Sequence, residues 1–71
     1  MTVSSYEVKG MTCGHCVQAV TQEVSKVPGV SEVSVDLDQG RVTVTSAAPI
    51  SETSVREAVD EAGYELVGTV G

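Results

Sequence analysis

Apolar residues recur at two different periods along this chain, and the order of those periods constrains the fold more than any other feature. From Val3 to Lys9, apolar and polar residues alternate with Tyr6 and Val8 on one side, which is typical of a half-buried strand. From Cys16 the period becomes helical. The apolar stripe of this predicted helix consists of Val17, Val20, Val24 and Val27. Pro28–Gly29 follows and is expected to end the helix.

A hairpin is predicted after this helix. Its first strand alternates at Val33, Val35 and Leu37, and its second strand alternates at Val42 and Val44. The segment Asp38–Gly40 between them provides a turn in which glycine can adopt a positive φ.

A second helix and a last strand complete the pattern. Ser51 or Ser54 is the expected N-cap, with Glu52 near the positive end of the helix dipole. The buried stripe of this helix is predicted to be Val55, Ala58, Val59 and Ala62. Gly63 stops the helix. The last strand is predicted to lie at a sheet edge and to contain Tyr64, Leu66, Val67 and Val70.

The resulting order is β-α-β-β-α-β, which is that of the ferredoxin-like split βαβ motif. We therefore expect an α+β sandwich in which two helices cover one face of a four-stranded antiparallel sheet. The chain has 71 residues, close to the lower limit for folding on a hydrophobic core. Residues 1–71 are thus predicted to form a single domain.

Charge and hydropathy exclude several classes of function. The net charge is −6 and the four basic residues are scattered, which argues against nucleic acid because phosphate binding relies on clustered Lys and Arg. No apolar run is long enough for membrane insertion. The segment Met1 to Val8 does not resemble a signal peptide, so we expect a cytoplasmic protein.

The chemistry of the chain is concentrated in the segment Gly10–Cys16, with the sequence Gly-Met-Thr-Cys-Gly-His-Cys. Cys13 and Cys16 can form a disulfide, bind a soft metal, or provide half of a larger metal site. A structural bridge is disfavoured because cytosolic thiols are held reduced and the closed loop would be very short. The pair lies where a strand ends and a helix begins, and the helix dipole there favours thiolate over thiol.

The number of ligands indicates which metal this segment suits. A structural zinc site needs four protein ligands, whereas the chain has two cysteines and one histidine. Calcium and magnesium prefer oxygen ligands. Soft thiolates select Cu(I), which accepts two or three sulfur ligands, and an open site lets an incoming thiolate enter before another leaves.

Four neighbours of the cysteines have two interpretations each. His15 either provides a third ligand or is an exposed cation that stabilises thiolate. Met11 either packs in the core or donates its thioether. Thr12 satisfies backbone donors near the helix start or is exposed. Tyr64 shields the metal or is a half-buried core aromatic.

The chain resembles the heavy-metal-associated domain family, in particular the small bacterial Cu(I) chaperones. Gly10–Cys16 is similar to the GMxCxxC loop of that family, and Val27–Val30 to its turn between helix and strand. Val33–Gly40 is similar to its hairpin, and Ala62–Tyr64 to the segment before its last strand. The resemblance covers nearly the whole chain.

This resemblance implies a ferredoxin-like carrier, not an enzyme, that holds Cu(I) on Cys13 and Cys16. It also implies delivery to a copper-transporting P-type ATPase, with Met11 as a buried loop anchor and Tyr64 beside the site. Zinc and cadmium relatives often have Asp before the first cysteine, so Thr12 favours copper. A copper-responsive repressor as second recipient and a copper-bridged homodimer or larger cluster stay open.

Two alternative functions fit part of the sequence. Cys-Gly-His-Cys also occurs in disulfide isomerases, so a thiol–disulfide oxidoreductase is the first. The chain is short for a thioredoxin-like fold, and no Trp precedes Cys13. The second is a metal-binding domain excised from a copper or mercury transport protein. The Met1 start and compact ends favour an independent chaperone.

Overall fold

The computed structural model describes residues 2–12 and 14–70. It contains six elements in the predicted order: β1 (Thr2–Lys9), α1 (Gly14–Ser25), β2 (Val30–Asp36), β3 (Arg41–Ser46), α2 (Glu52–Glu61) and β4 (Glu65–Val70). The expected βαββαβ order is confirmed.

The strands form one sheet with the order β2-β3-β1-β4, and all neighbours pair antiparallel. β1 is therefore a central strand, and β4 lies at an edge as predicted. Lys9, the last residue of β1, pairs with Glu65, the first residue of β4. Because of this pairing, the segment after β1 and the junction between α2 and β4 meet at the same end of the sheet.

One face of the sheet is buried. Tyr6 pairs with Val42 on this face, and Val33 pairs with Val44. The helices contact each other, α1 also packs on β2 and α2 on β4. The core cluster comprises Tyr6, Val8, Met11, Cys16, Val20, Val24, Val42, Val44, Val55, Val59 and Leu66. The predicted ferredoxin-like α+β sandwich, with both helices on one face, is thus confirmed.

Both helices bury the predicted stripe in part. In α1 the buried residues are Cys16, Val20 and Val24, and in α2 they are Val55 and Val59. Among the described residues, no helix is both long and apolar enough to cross a membrane.

The predicted bounds of α1 were wrong at both ends. We expected Gly14 in the loop, but it begins the helix, and Val27 lies beyond the helix end at Ser25. The N–H of Lys26 donates to Glu23 and that of Val27 to Val24. These bonds to the third residue back tighten the chain into a turn, so the helix ends before Pro28.

The strand bounds also differ from expectation at two places. β2 ends at Asp36, so Leu37 belongs to the turn, and β4 begins at Glu65, after Tyr64. Val67 was expected in the last strand and lies there, yet the residue is 51% exposed. The register between β1 and β4 shifts between Glu7 and Val8. Burial still alternates along β4, so Val67 is exposed next to the buried Leu66.

Candidate metal centre

The segment that joins β1 to α1 begins with a sharp change of backbone direction at Gly10, whose φ is +99°. Only glycine adopts such a φ without steric cost. Met11 then enters the core and is 8% exposed, whereas Thr12 is exposed to solvent. The burial of Met11 agrees with the interpretation in which this residue packs in the core.

Cys16 lies in the first turn of α1 and faces the core, with 6% of its surface exposed. Its position one helical turn before Val20 places it on the inner stripe of the helix. Cys13 lies outside the described residues, so the pairing of the two sulfur atoms stays a prediction.

The described first turn of α1 is neutral apart from His15. It contains no acidic residue, and both Gly14 and His15 are exposed. The unpaired N–H groups and the dipole at this helix end favour a negative ligand such as a thiolate. Within residues 2–12 and 14–70, no three His, Cys, Asp or Glu side chains are grouped so that they could hold a metal ion.

Tyr64 lies at the same end of the sheet as this segment. Gly63, with a φ of +92°, turns the chain after α2, and the N–H of Tyr64 donates to the carbonyl oxygen of Val59 over 3.1 Å. The Tyr64 side chain is half-buried. An ideal Cβ built on Gly10 would lie 3.3 Å from Cδ1 of Tyr64, so the ring lies against the loop backbone.

Sequence reasoning missed two contacts that support the loop. One is this approach of Tyr64 to Gly10. The other joins the β2–β3 turn to β1: the N–H of Val8 donates to the carbonyl oxygen of Gly40 over 2.7 Å. A Cβ on Gly40 would lie 3.0 Å from the carbonyl oxygen of Val8, so only glycine fits this close approach. The predicted need for glycine in the turn was the available signal for the second contact.

Comparison with known families identifies the family of this chain. The sequence model of the family described as heavy-metal-associated domain matches residues 5–65. The chain belongs to the heavy-metal-associated domain family. The match includes β1 from Ser5 onward, both helices and the segment Gly10–Cys16.

Two curated relatives of this heavy-metal-associated domain are similar over most of their length. The COP-associated protein of Helicobacter felis is 49% identical over 59 residues, which cover 83% of this chain and 89% of that protein. The copper chaperone CopZ of Bacillus subtilis is 37% identical over 67 residues, or 93% of this chain and 97% of the relative.

Solved structures of copper-binding proteins are also similar to this chain. A CopZ metallochaperone superimposes with a TM-score of 0.86 at 30% identity and covers 93% of this chain and 100% of its own. A copper binding domain from HMA7, a P-type ATPase, gives a TM-score of 0.85 at 31% identity and covers both chains completely.

Proposed function

We propose that the protein is a cytoplasmic copper carrier that holds Cu(I) between the thiolates of Cys13 and Cys16 and passes it on by ligand exchange. The observation that carries the proposal is the position of Cys16 in the first turn of α1, directly after a loop segment anchored in the core by Met11. Relatives named copper chaperones share the fold and cover nearly the whole chain.

The chemistry of this helix start favours Cu(I) over Zn(II). Thiolates are soft ligands and select Cu(I), whereas a closed zinc site needs four protein ligands. The neutral first turn of α1 provides no carboxylate oxygen for a harder ion. A pair of thiolates, with Cys16 in the first turn of α1, therefore suits an ion that is satisfied with two sulfur ligands.

We further propose that the recipient is a copper-transporting P-type ATPase. What supports this proposal is that a copper binding domain from HMA7, a P-type ATPase, has the same fold over its full length. The transfer forms a bond from Cu(I) to an incoming thiolate before one of the two original sulfur bonds breaks. Cu(I) keeps its charge throughout, so no oxidant or reductant is needed.

We propose that His15 tunes the thiolates and is not a copper ligand. Its side chain is exposed at the start of α1, whereas Cys16 faces the core. We therefore expect His15→Ala to leave the number of Cu(I) ions per chain unchanged and to alter the affinity only slightly. Titration of wild type and variant against a competing Cu(I) chelator checks this. Loss of the competition by His15→Ala would instead make His15 a ligand.

The central test of the proposal uses the two cysteines. Cys13→Ser and Cys16→Ser are each expected to abolish chelator-resistant Cu(I) binding under anaerobic conditions, because a hydroxyl is a poor ligand for a soft ion. Ser51→Ala at the start of α2 is the matched control and should bind like wild type. Native mass spectrometry reports the number of copper ions and chains together.

The oxidoreductase alternative has its own assay. Insulin reduction by the metal-free protein should be negligible beside that of a thioredoxin. Turnover comparable to a thioredoxin would contradict the carrier function, as would full Cu(I) binding by either serine variant.

A further inference from the structure

The two edges of the sheet differ in charge. At one edge, β2 presents the exposed carboxylates of Glu32 and Asp36 among its seven residues. At the other edge, β4 has one charged residue, Glu65 at its start, and Val67 is 51% exposed. An edge strand has unpaired N–H and C=O groups that can pair with another strand, and charged side chains are a common protection against such pairing. β4 is therefore the less protected edge of this sheet.

Two residues of β4 lie on the face that the helices cover. Leu66 pairs with Val8 and Thr69 pairs with Tyr6, and both of these β1 residues are buried. Directly opposite residues of an antiparallel pair point to the same face. The hydroxyl of Thr69 accordingly donates to Glu52 of α2 over 3.3 Å. Leu66 and Thr69 are each one residue from an end of β4, so they are placed symmetrically.

The two end residues of β4 lie on the open face of the sheet. Glu65 pairs with Lys9, and Val70 pairs with Ser5. Lys9 and Ser5 alternate with the buried residues of β1, so they point away from the helices. The register shift in the middle of the pair is what brings both ends of β4 to the same face. The order of faces along β4 is therefore the same from either end, as an antiparallel pairing of two β4 strands requires.

The middle of β4 fits a second copy in the same register. Gly68 pairs with Glu7, and a Cβ added to Gly68 would meet no atom within 4 Å beyond its two chain neighbours. In a pairing centred between Val67 and Gly68, the exposed Val67 of each copy lies beside this open space on the other. The two Glu65 residues then lie at opposite ends of the pair, roughly 16 Å apart at about 3.3 Å per residue. This distance exceeds the Debye length of about 8 Å at physiological salt, so their repulsion is screened.

We infer that two copies of this chain form a weak two-fold dimer by antiparallel pairing of their β4 strands. The pairing joins two four-stranded sheets edge to edge. Because β4 starts at the end of the sheet that holds the segment Gly10–Cys16, the two copies place these segments at opposite ends. The dimer therefore differs from a copper-bridged one, in which two cysteine segments meet. It needs no metal and does not depend on the proposed function.

Charge and size set the strength of this association. Each chain has a net charge of −6, so the copies repel each other and added salt should tighten the dimer. A pair of six-residue strands is a small interface. We therefore expect a dissociation constant of roughly 0.1–1 mM.

The experiment is sedimentation equilibrium of the reduced, metal-free protein at increasing protein concentration and at low and high salt. Val67→Lys places a charge in the edge strand and should weaken the dimer about tenfold or more, because both copies lose an apolar contact. Val3→Lys is the matched control, since Val3 is 64% exposed on the central strand β1. This control makes the same change in net charge and should associate like wild type or slightly more tightly. Amide hydrogen exchange in β4, but not in β2, should slow as the protein concentration rises.

The inference is overturned if the wild-type protein stays a monomer through the millimolar range at both salt concentrations, or if both lysine variants weaken association equally. Growth beyond a dimer would also overturn it, because β4 would then pair with β2 of the next copy in an open chain. Circular dichroism checks that both variants keep the fold. A failed copper titration leaves these results unchanged, so the dimer and the proposed function are tested separately.

Discussion

The two helices of this protein begin in opposite ways. At the start of α2, the side chain of Ser51 accepts a hydrogen bond from the N–H of Ser54 over 3.1 Å, and Glu52 in the first turn pairs with Arg56 at 3.0 Å. At the start of α1, the described first turn has no acidic residue and contains Cys16. One helix end is stabilised by its own side chains, and the other is left neutral.

The difference between the two helix starts suggests different uses: the start of α2 stabilises the fold, and the start of α1 is available to a ligand. Unpaired N–H groups and the dipole make each helix start an attractive place for negative charge. In α2 the serine oxygen and the Glu52 carboxylate use that attraction to stabilise the fold. In α1 the same attraction is available to thiolates, which would lose part of it if a carboxylate lay beside them.

The largest expected effect comes from placing a carboxylate at the neutral start. Thr12→Asp should shift metal preference from Cu(I) toward Zn(II) by about tenfold, because the new oxygen repels thiolates and is a harder ligand. Competition titrations with both metals measure the ratio of affinities.

The same substitution at the other helix is the control. Thr53 is exposed in the first turn of α2, so Thr53→Asp should leave metal binding unchanged and stabilise the helix by roughly 0.3–1 kcal/mol. An equal loss of Cu(I) preference in both variants would show that the metal preference depends on the overall charge of the protein and not on the position of the carboxylate.

A moderate effect is expected from removing the cap of α2. Ser51→Ala leaves the N–H of Ser54 without its side-chain acceptor and should lower the free energy of unfolding by about 1 kcal/mol. For a domain of this size, that corresponds to roughly 4–8 °C in the melting temperature. Thermal unfolding followed by circular dichroism measures the shift. If Cu(I) affinity fell along with the melting temperature, the two helix ends would not be independent.

The smallest effect concerns the charge at the start of α2. Glu52 pairs with Arg56 and also accepts a hydrogen bond from the hydroxyl of Thr69 over 3.3 Å, but its side chain is 42% exposed. Glu52→Gln should therefore cost only about 0.3–0.5 kcal/mol. Chemical denaturation at low and high salt checks the electrostatic origin, since screening should remove most of the difference. A loss that persists at high salt would point to the Thr69 contact.

Much of the fold could be predicted because the period of apolar residues changes at nearly every element. The strands around Tyr6 and Val42 and the helix around Val55 and Val59 were found in this way. The start of α1 was not, because Gly14 and His15 are exposed and add nothing to an apolar stripe. The exposure of Val67 follows from the alternation of β4, in which its neighbour Leu66 is the buried residue.

The chemistry of the candidate site is a prediction from the sequence, whereas the contacts around it became visible only in the structure. Cys13, Cys16 and their neighbours form one short segment, so their types and spacing were visible in the sequence. The contact between Gly10 and Tyr64 joins the two ends of the chain. This contact follows from the antiparallel pairing of β1 with β4 and from the orientation of the Tyr64 ring. Both depend on tertiary packing.

The most direct test of the account is an anaerobic titration of the wild-type protein with Cu(I) and Zn(II), each under competition with a chelator and with mass measured alongside. The account predicts that Cu(I) binds far more tightly than Zn(II) and that its binding disappears when either Cys13 or Cys16 is replaced by serine. Zinc binding tighter than that of Cu(I) would contradict it.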